Sequence, residues 1–191
     1  LEGGPSKSYI KMKSFMYRET EAWHLLMDKL AKNMAQYLLF QVESGAMAVQ
    51  IFDSWVGILN REDYREFVLP HMQKMVEEIK SATNVPVVMF GTNSSHLLQD
   101  MKTTGADVIG IDWKTDMPSA WKELNYEVAV QGNLDPTLLF ADWELIEIRA
   151  KKLLDSMPDR PGFIFNLGHG ILPKTPEENV RKLVNLVQGR S

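Results

Sequence analysis

Apolar residues recur every three or four positions between about Glu19 and Ser44, at Trp23, Leu26, Leu30, Met34 and Tyr37. That spacing lays one apolar stripe along a helix, and Gly45 ends it. The run AMAVQIF, to Phe52, then reads as a short strand. Helical spacing returns from about Arg61 to Ser81, with Tyr64, Val68, Met72, Met75 and Ile79 inward. Pro70 should kink or split this second helix, because it lacks the amide proton the helix needs and its ring crowds the preceding turn.

The alternation continues to the end of the chain. VPVVMF (85–90) reads as a strand and SHLLQDMKTTG as a helix; ADVIGID (106–112) is a strand before a short helix near 117–124. YEVAVQG (126–132) is a strand, followed by helical segments to about Ser156, and GFIFN (162–166) is the last strand. Thr175 should cap a final helix, with Pro176 at its first position and Glu178 three residues after the cap. Five strands separated by helices predict a parallel α/β sheet. Their apolar runs predict burial on both faces.

The strand ends narrow the choice of architecture. Each opens into small or polar residues: FDSW, FGTNSSH, IDWKTD, QGNLDP and NLGHG. A (β/α) barrel builds its site from such ends, all on one side. An open doubly wound sheet would concentrate chemistry at one switch point, usually with a phosphate-binding glycine loop, and the chain has no GxGxxG or Walker sequence. The expected fold is therefore a parallel (β/α) TIM-type barrel. A closed barrel needs eight strands, so about five of eight βα units are present, and the opening LEGGPSKSY, without an initiator methionine, suggests the later part of one.

Composition removes several functions. The 191 residues carry 21 basic and 25 acidic side chains, a formal charge of −4, which recommends neither nucleic acid nor an anionic membrane as partner. No apolar run is long enough for a membrane span, and no signal segment opens the chain. There is no cysteine, hence no disulfide, thiolate metal site or cysteine nucleophile. A cytoplasmic location is the expectation.

Among candidate side chains, His169 stands out. It lies between two glycines, after a strand and before a helix, where a core histidine has no reason to be and a ligand can approach closely. The bland alternative is a histidine that bonds a nearby carbonyl. Ser54 offers a hydroxyl to a carboxylate or a pyrrole-like donor, or is an ordinary turn serine. Asp53 could be a base, an N-cap or a partner for a loop amide. Asp112, if buried, could hold a raised pKa and act as an acid, or could organise the next loop. Asn133 and Asp135 fall in a turn before Pro136. His24 should be solvated, His71 should serve a core or interface, and His96 is at most a rim residue. No histidine pair has zinc spacing, and no Gly-x-Ser-x-Gly elbow supports a serine hydrolase.

Taken together and in order, QIFDSW, GIDW, QGNLDP and above all FNLGHGILP resemble the later part of the uroporphyrinogen decarboxylase family, across nearly all 191 residues. The resemblance implies that residues 1–191 are the C-terminal portion of one (β/α)8 barrel, homodimeric when full length, working without cofactor or metal. It implies a cytoplasmic lyase of heme biosynthesis that converts the four acetates of uroporphyrinogen III to methyls, giving coproporphyrinogen III. By motif, Ser54 and His169 match positions that hydrogen-bond substrate carboxylates or position the acetate being lost, and Phe52 matches an aromatic lining position. The family's acidic aspartate, a tyrosine and an arginine cluster would precede Leu1, so the 191 residues alone should be inactive. MFGTNSSH departs from some members. The alternatives are a corrinoid-linked methyltransferase of the same superfamily, disfavoured by the missing cysteines, and an inactive fragment or binding module.

Overall fold

The computed structural model describes residues 1–4 and 6–189. The chain forms two compact units, Leu1–Val49 with Leu59–Val85, and Gln50–Ile58 with Pro86–Ser191.

The first unit is helical: α1 (Ile10–Arg18), α2 (Thr20–Glu43), α3 (Arg61–Phe67) and α4 (Leu69–Ala82). The long second helix divides as expected, at Val68, leaving Pro70 in the first turn of α4 where its missing amide proton is harmless. Asn60 caps α3 by accepting the Asp63 N–H at 2.8 Å. Tyr64, Val68, Met72, Met75 and Ile79 are all buried.

The inward face of α2 differs from the one its spacing suggests. Trp23, Ala31, Ala35 and Leu38 are buried, whereas Leu30 is 47% and Tyr37 59% exposed, with Met34 also outward. The alanines decide this. Small side chains at Ala31 and Ala35 let α2 approach α4 closely, so the face with less apolar bulk is the one that packs. Trp23 is held by its indole N–H, which donates to the Phe67 carbonyl at 2.9 Å.

His24 is not solvated. Half-buried on α2, it stacks on Phe67, with its Nδ1 2.8 Å from His71 Nε2. His71 is 2% exposed, and its Nδ1–H donates to Asp28 Oδ1 at 2.8 Å; Lys74 Nζ donates to the same oxygen. With Nδ1–H committed to the carboxylate, a neutral His71 accepts at Nε2 from the His24 Nδ1–H. Burial holds the His71 imidazole below the ordinary histidine range, against the opposing pull of Asp28. The unfolded chain therefore binds the proton more readily, and the stability this neutral ring supports is present above the unfolded value and lost progressively as pH falls from there through the lower folded one. Denaturant unfolding should show a less stable protein at about pH 5.5 than at about pH 7.5, with a smaller difference in His71→Asn. An unchanged difference in the variant would assign the effect to another group.

The second unit holds the sheet: β1 (Val49–Phe52, its first residue at the unit boundary), β2 (Val87–Phe90), β3 (Val108–Gly110), β4 (Ala129–Leu134) and β5 (Phe163–Leu167). Between strands lie 3-10 turns at Val56–Ile58, Ser95–Leu97 and Pro136–Phe140, and the helices α5 (Leu98–Lys102), α6 (Met117–Glu123) and α7 (Trp143–Ser156); α8 (Glu177–Gln188) follows β5. The spatial order is β1-β2-β3-β4-β5, with parallel registers such as Ile109↔Val130 and Asn133↔Asn166. Strand order that follows chain order, with no reversal, is barrel topology and has no switch point. The sheet is also curled. Gln131 Nε2 on β4 lies 3.3 Å from Gln50 Oε1 on β1, although strands three places apart in a flat sheet are about 14 Å apart. The architecture is a portion of a parallel (β/α) TIM-type barrel.

Three expectations need correction. The fourth strand begins at Ala129, because Asn125 and Tyr126 take left-handed conformations and form a turn. Burial on both faces holds for β2 and β3, but β1 and β5 alternate, because they are the two edges of this sheet. Thr175 does not cap the last helix: Pro176 occupies the N-cap, and Thr175 Oγ1 is buried without a hydrogen-bond partner. The Thr175 N–H instead donates to Leu172 O at 3.0 Å, so Thr175 belongs to the turn that precedes the helix.

Among the described residues no helix is long and apolar enough to cross a membrane, and no group of three or more histidine and carboxylate side chains is placed to hold a metal ion.

Candidate active site

Because the sheet is parallel, every strand delivers its C-terminal end to the same rim. The Asp53 N–H donates to Phe90 O at 2.8 Å, joining the end of β1 to β2. The Thr92 hydroxyl donates to the Ser54 carbonyl. Gly57 lets the two loops meet backbone to backbone: a Cβ there would stand 2.3 Å from the carbonyl oxygens of Thr92 and Asn93. Burial pushes the Asp53 carboxyl up to about 6, so it holds its proton further toward neutrality than an ordinary aspartate.

His169 follows β5 in an exposed loop. Its ring meets Trp113 nearly perpendicularly, with centroids 5.8 Å apart, and Phe90 edge-on at 6.3 Å. Phe90 in turn meets Phe52 edge-on at 6.1 Å, and Phe52 is 68% exposed. The aromatic chain Trp113–His169–Phe90–Phe52 thus runs from the β3 end to the β1 end. Neither His169 nitrogen has a hydrogen-bond partner among the described residues, which leaves both free for a ligand. The loop's seat depends on Gly168, where a Cβ would stand 2.3 Å from the Trp113 main-chain nitrogen.

Asp112 takes the structural option. It is 2% exposed and accepts from the Asn93 N–H at 2.6 Å, the Lys114 N–H at 3.2 Å and the Thr115 hydroxyl at 3.0 Å. Those bonds tie the β2 and β3 loops together and occupy the carboxylate. Asn133 is not in a turn. It lies within β4, buried, where its side-chain amide donates to Asp112 O at 2.8 Å and Thr115 O at 2.6 Å. Asp135 caps the following 3-10 turn by accepting from Thr137. His96 sits exposed in the Ser95–Leu97 turn.

Ser54, Phe52 and His169 therefore share one rim, while His24 and His71 belong to the helical unit. A cleft of about 640 Å³ lies elsewhere, between the Trp113–Pro118 segment, the β4 end and α7, and includes none of the three. Sequence reasoning missed Phe90 and Gly168 as parts of the site. Phe90 reads as one more apolar strand residue, and only the parallel register brings it against His169.

A family model described as uroporphyrinogen decarboxylase (URO-D) matches residues 1–190. The chain belongs to the uroporphyrinogen decarboxylase family. A uroporphyrinogen decarboxylase from Koribacter versatilis is 48% identical over 187 residues, covering 98% of this chain and 53% of the relative. One from Chloroflexus aggregans is 51% identical over 191 residues, covering 98% and 54%. The chain thus spans about half the length of the curated relatives it matches. Among solved structures, a methyltransferase from Methanosarcina mazei superposes with a TM-score of 0.84 at 23% identity, over 95% of this chain and 53% of that one. That likeness bears on the fold.

Proposed function

We propose that residues 1–191 form the C-terminal portion of a uroporphyrinogen decarboxylase barrel and supply Ser54, His169 and Phe52 to its tetrapyrrole site. The observation that carries this reading is His169, held between Trp113 and Phe90 at the strand-end rim with both ring nitrogens uncommitted. An imidazole so placed can hydrogen-bond a carboxylate oxygen, and the Ser54 hydroxyl can do the same from the β1 end. Phe52 offers an apolar wall to a pyrrole ring.

The chemistry asks little else of this half. An acid protonates the pyrrole carbon bearing the acetate, and the cationic ring draws in the electrons of the breaking C–CO2 bond. CO2 leaves, a second proton completes the methyl group, and loss of the first proton from the ring carbon restores the neutral pyrrole. Ser54 and His169 orient the departing carboxylate, while the acid and the carboxylate that stabilises the cation come from the remainder of a full-length barrel. The substrate is uroporphyrinogen, the whole enzyme is a cytoplasmic homodimer of heme biosynthesis, and no cofactor or metal takes part. A corrinoid-linked methyltransferase gains nothing beyond fold likeness, and the chain has no cysteine for that group's zinc.

In the full-length enzyme, His169→Asn should lower kcat by about 10²-fold, or leave partly decarboxylated intermediates, with little change in melting temperature. A folded variant with full activity and the normal product would refute the assignment.

A further inference from the structure

Lys114 is a cation built into the same rim, and its ammonium meets the neighbouring β2 loop through a neutral side chain rather than a carboxylate. Its ammonium donates to Asn93 Oδ1 at 2.7 Å and lies 5.3 Å from the centre of the Trp113 ring, the ring that His169 meets edge-on at 5.8 Å. The residue is exposed, but two contacts keep its side chain from sweeping freely. The carboxylates around it are engaged otherwise: Asp112 with Asn93, Lys114 and Thr115 backbone or hydroxyl donors, Asp116 with the Ser119 N–H, and Asp135 with Thr137. A lysine already paired to a carboxylate would only exchange one anion for another. Lys114 has a neutral amide and an aromatic face as partners, so its full charge is available to an incoming anion.

We infer that Lys114 is a substrate-binding residue that pairs with a side-chain carboxylate of the polycarboxylate bound at this rim, beside the one oriented by His169. The inference rests on the proposed function and adds a residue to it. Its test is direct binding, measured by quenching of tryptophan fluorescence on titration of the chain with uroporphyrin, an octacarboxylate. Lys114→Met should weaken binding about fivefold at low salt, the difference should shrink as salt screens it, and Lys114→Arg should restore it. A methionine variant with parental affinity and salt dependence overturns the role of Lys114 alone. A loss that salt does not diminish and arginine does not restore marks a structural role and also overturns it. Absence of uroporphyrin binding by the parent chain overturns this inference together with the substrate reading beneath it.

Discussion

Gly168→Ala should destabilise the chain by about 3 kcal/mol and displace His169, although it adds a single methyl group. The added Cβ would meet the Trp113 nitrogen at 2.3 Å and its Cα at 2.7 Å. Both are backbone atoms of a loop already pinned by Asp112, so no side-chain rotation relieves the contact. Either the β5 loop lifts from the β3 loop or the Asp112 bonds break, and His169 leaves its place between Trp113 and Phe90 in both cases. In a chain of this size the loss corresponds to a fall of roughly 6–12 °C in Tm. Gly170→Ala is the control, because a Cβ there meets nothing within 4 Å. Equal melting temperatures for the two variants would show that the loop can yield, and would remove Gly168 from the account of the site.

On their own, the 191 residues should produce no detectable coproporphyrinogen from uroporphyrinogen. In the proposed division of roles, Ser54 and His169 orient carboxylates, and the acid and the cation-stabilising carboxylate come from the remainder of a full-length barrel. The sheet also ends in two edge strands, β1 and β5, with Phe52 and Ile164 exposed along them. Unpaired edges with apolar side chains promote self-association. Supplying the first half of a curated relative as a separate chain should therefore raise solubility and restore some turnover. Appreciable product from the 191 residues alone would mean that the rim described here suffices, and the division of roles would have to be abandoned.

Much of the architecture was legible in the residues. The order of helices and strands, the break at Pro70 and the barrel class follow from local rules: periodicity, a missing amide proton, and polar residues at every strand end. His169 and Ser54 were legible as candidates for the same reason, since glycines and strand ends mark loops where side chains can be spared from the core. Asp112 could be read two ways, because a carboxylate's role depends on which donors reach it. Those donors, Asn93 and Thr115, come from a neighbouring strand end and from the loop itself.

Tertiary structure decided the rest. Which face of α2 packs was settled by how closely another helix could approach Ala31 and Ala35, a steric fact that hydrophobic spacing does not contain. The pairing of His24 with His71 arose from two helices meeting across 47 residues of chain. The setting of His169 likewise depends on Phe90 and Trp113, distant in sequence and adjacent only through parallel register. The sequence by itself determined the elements, their order and the residues free to do chemistry, because those depend on each residue and its near neighbours. Only the fold decided which of them stand together, because burial, close approach and hydrogen-bond partnership are properties of pairs that the chain brings into contact from far apart.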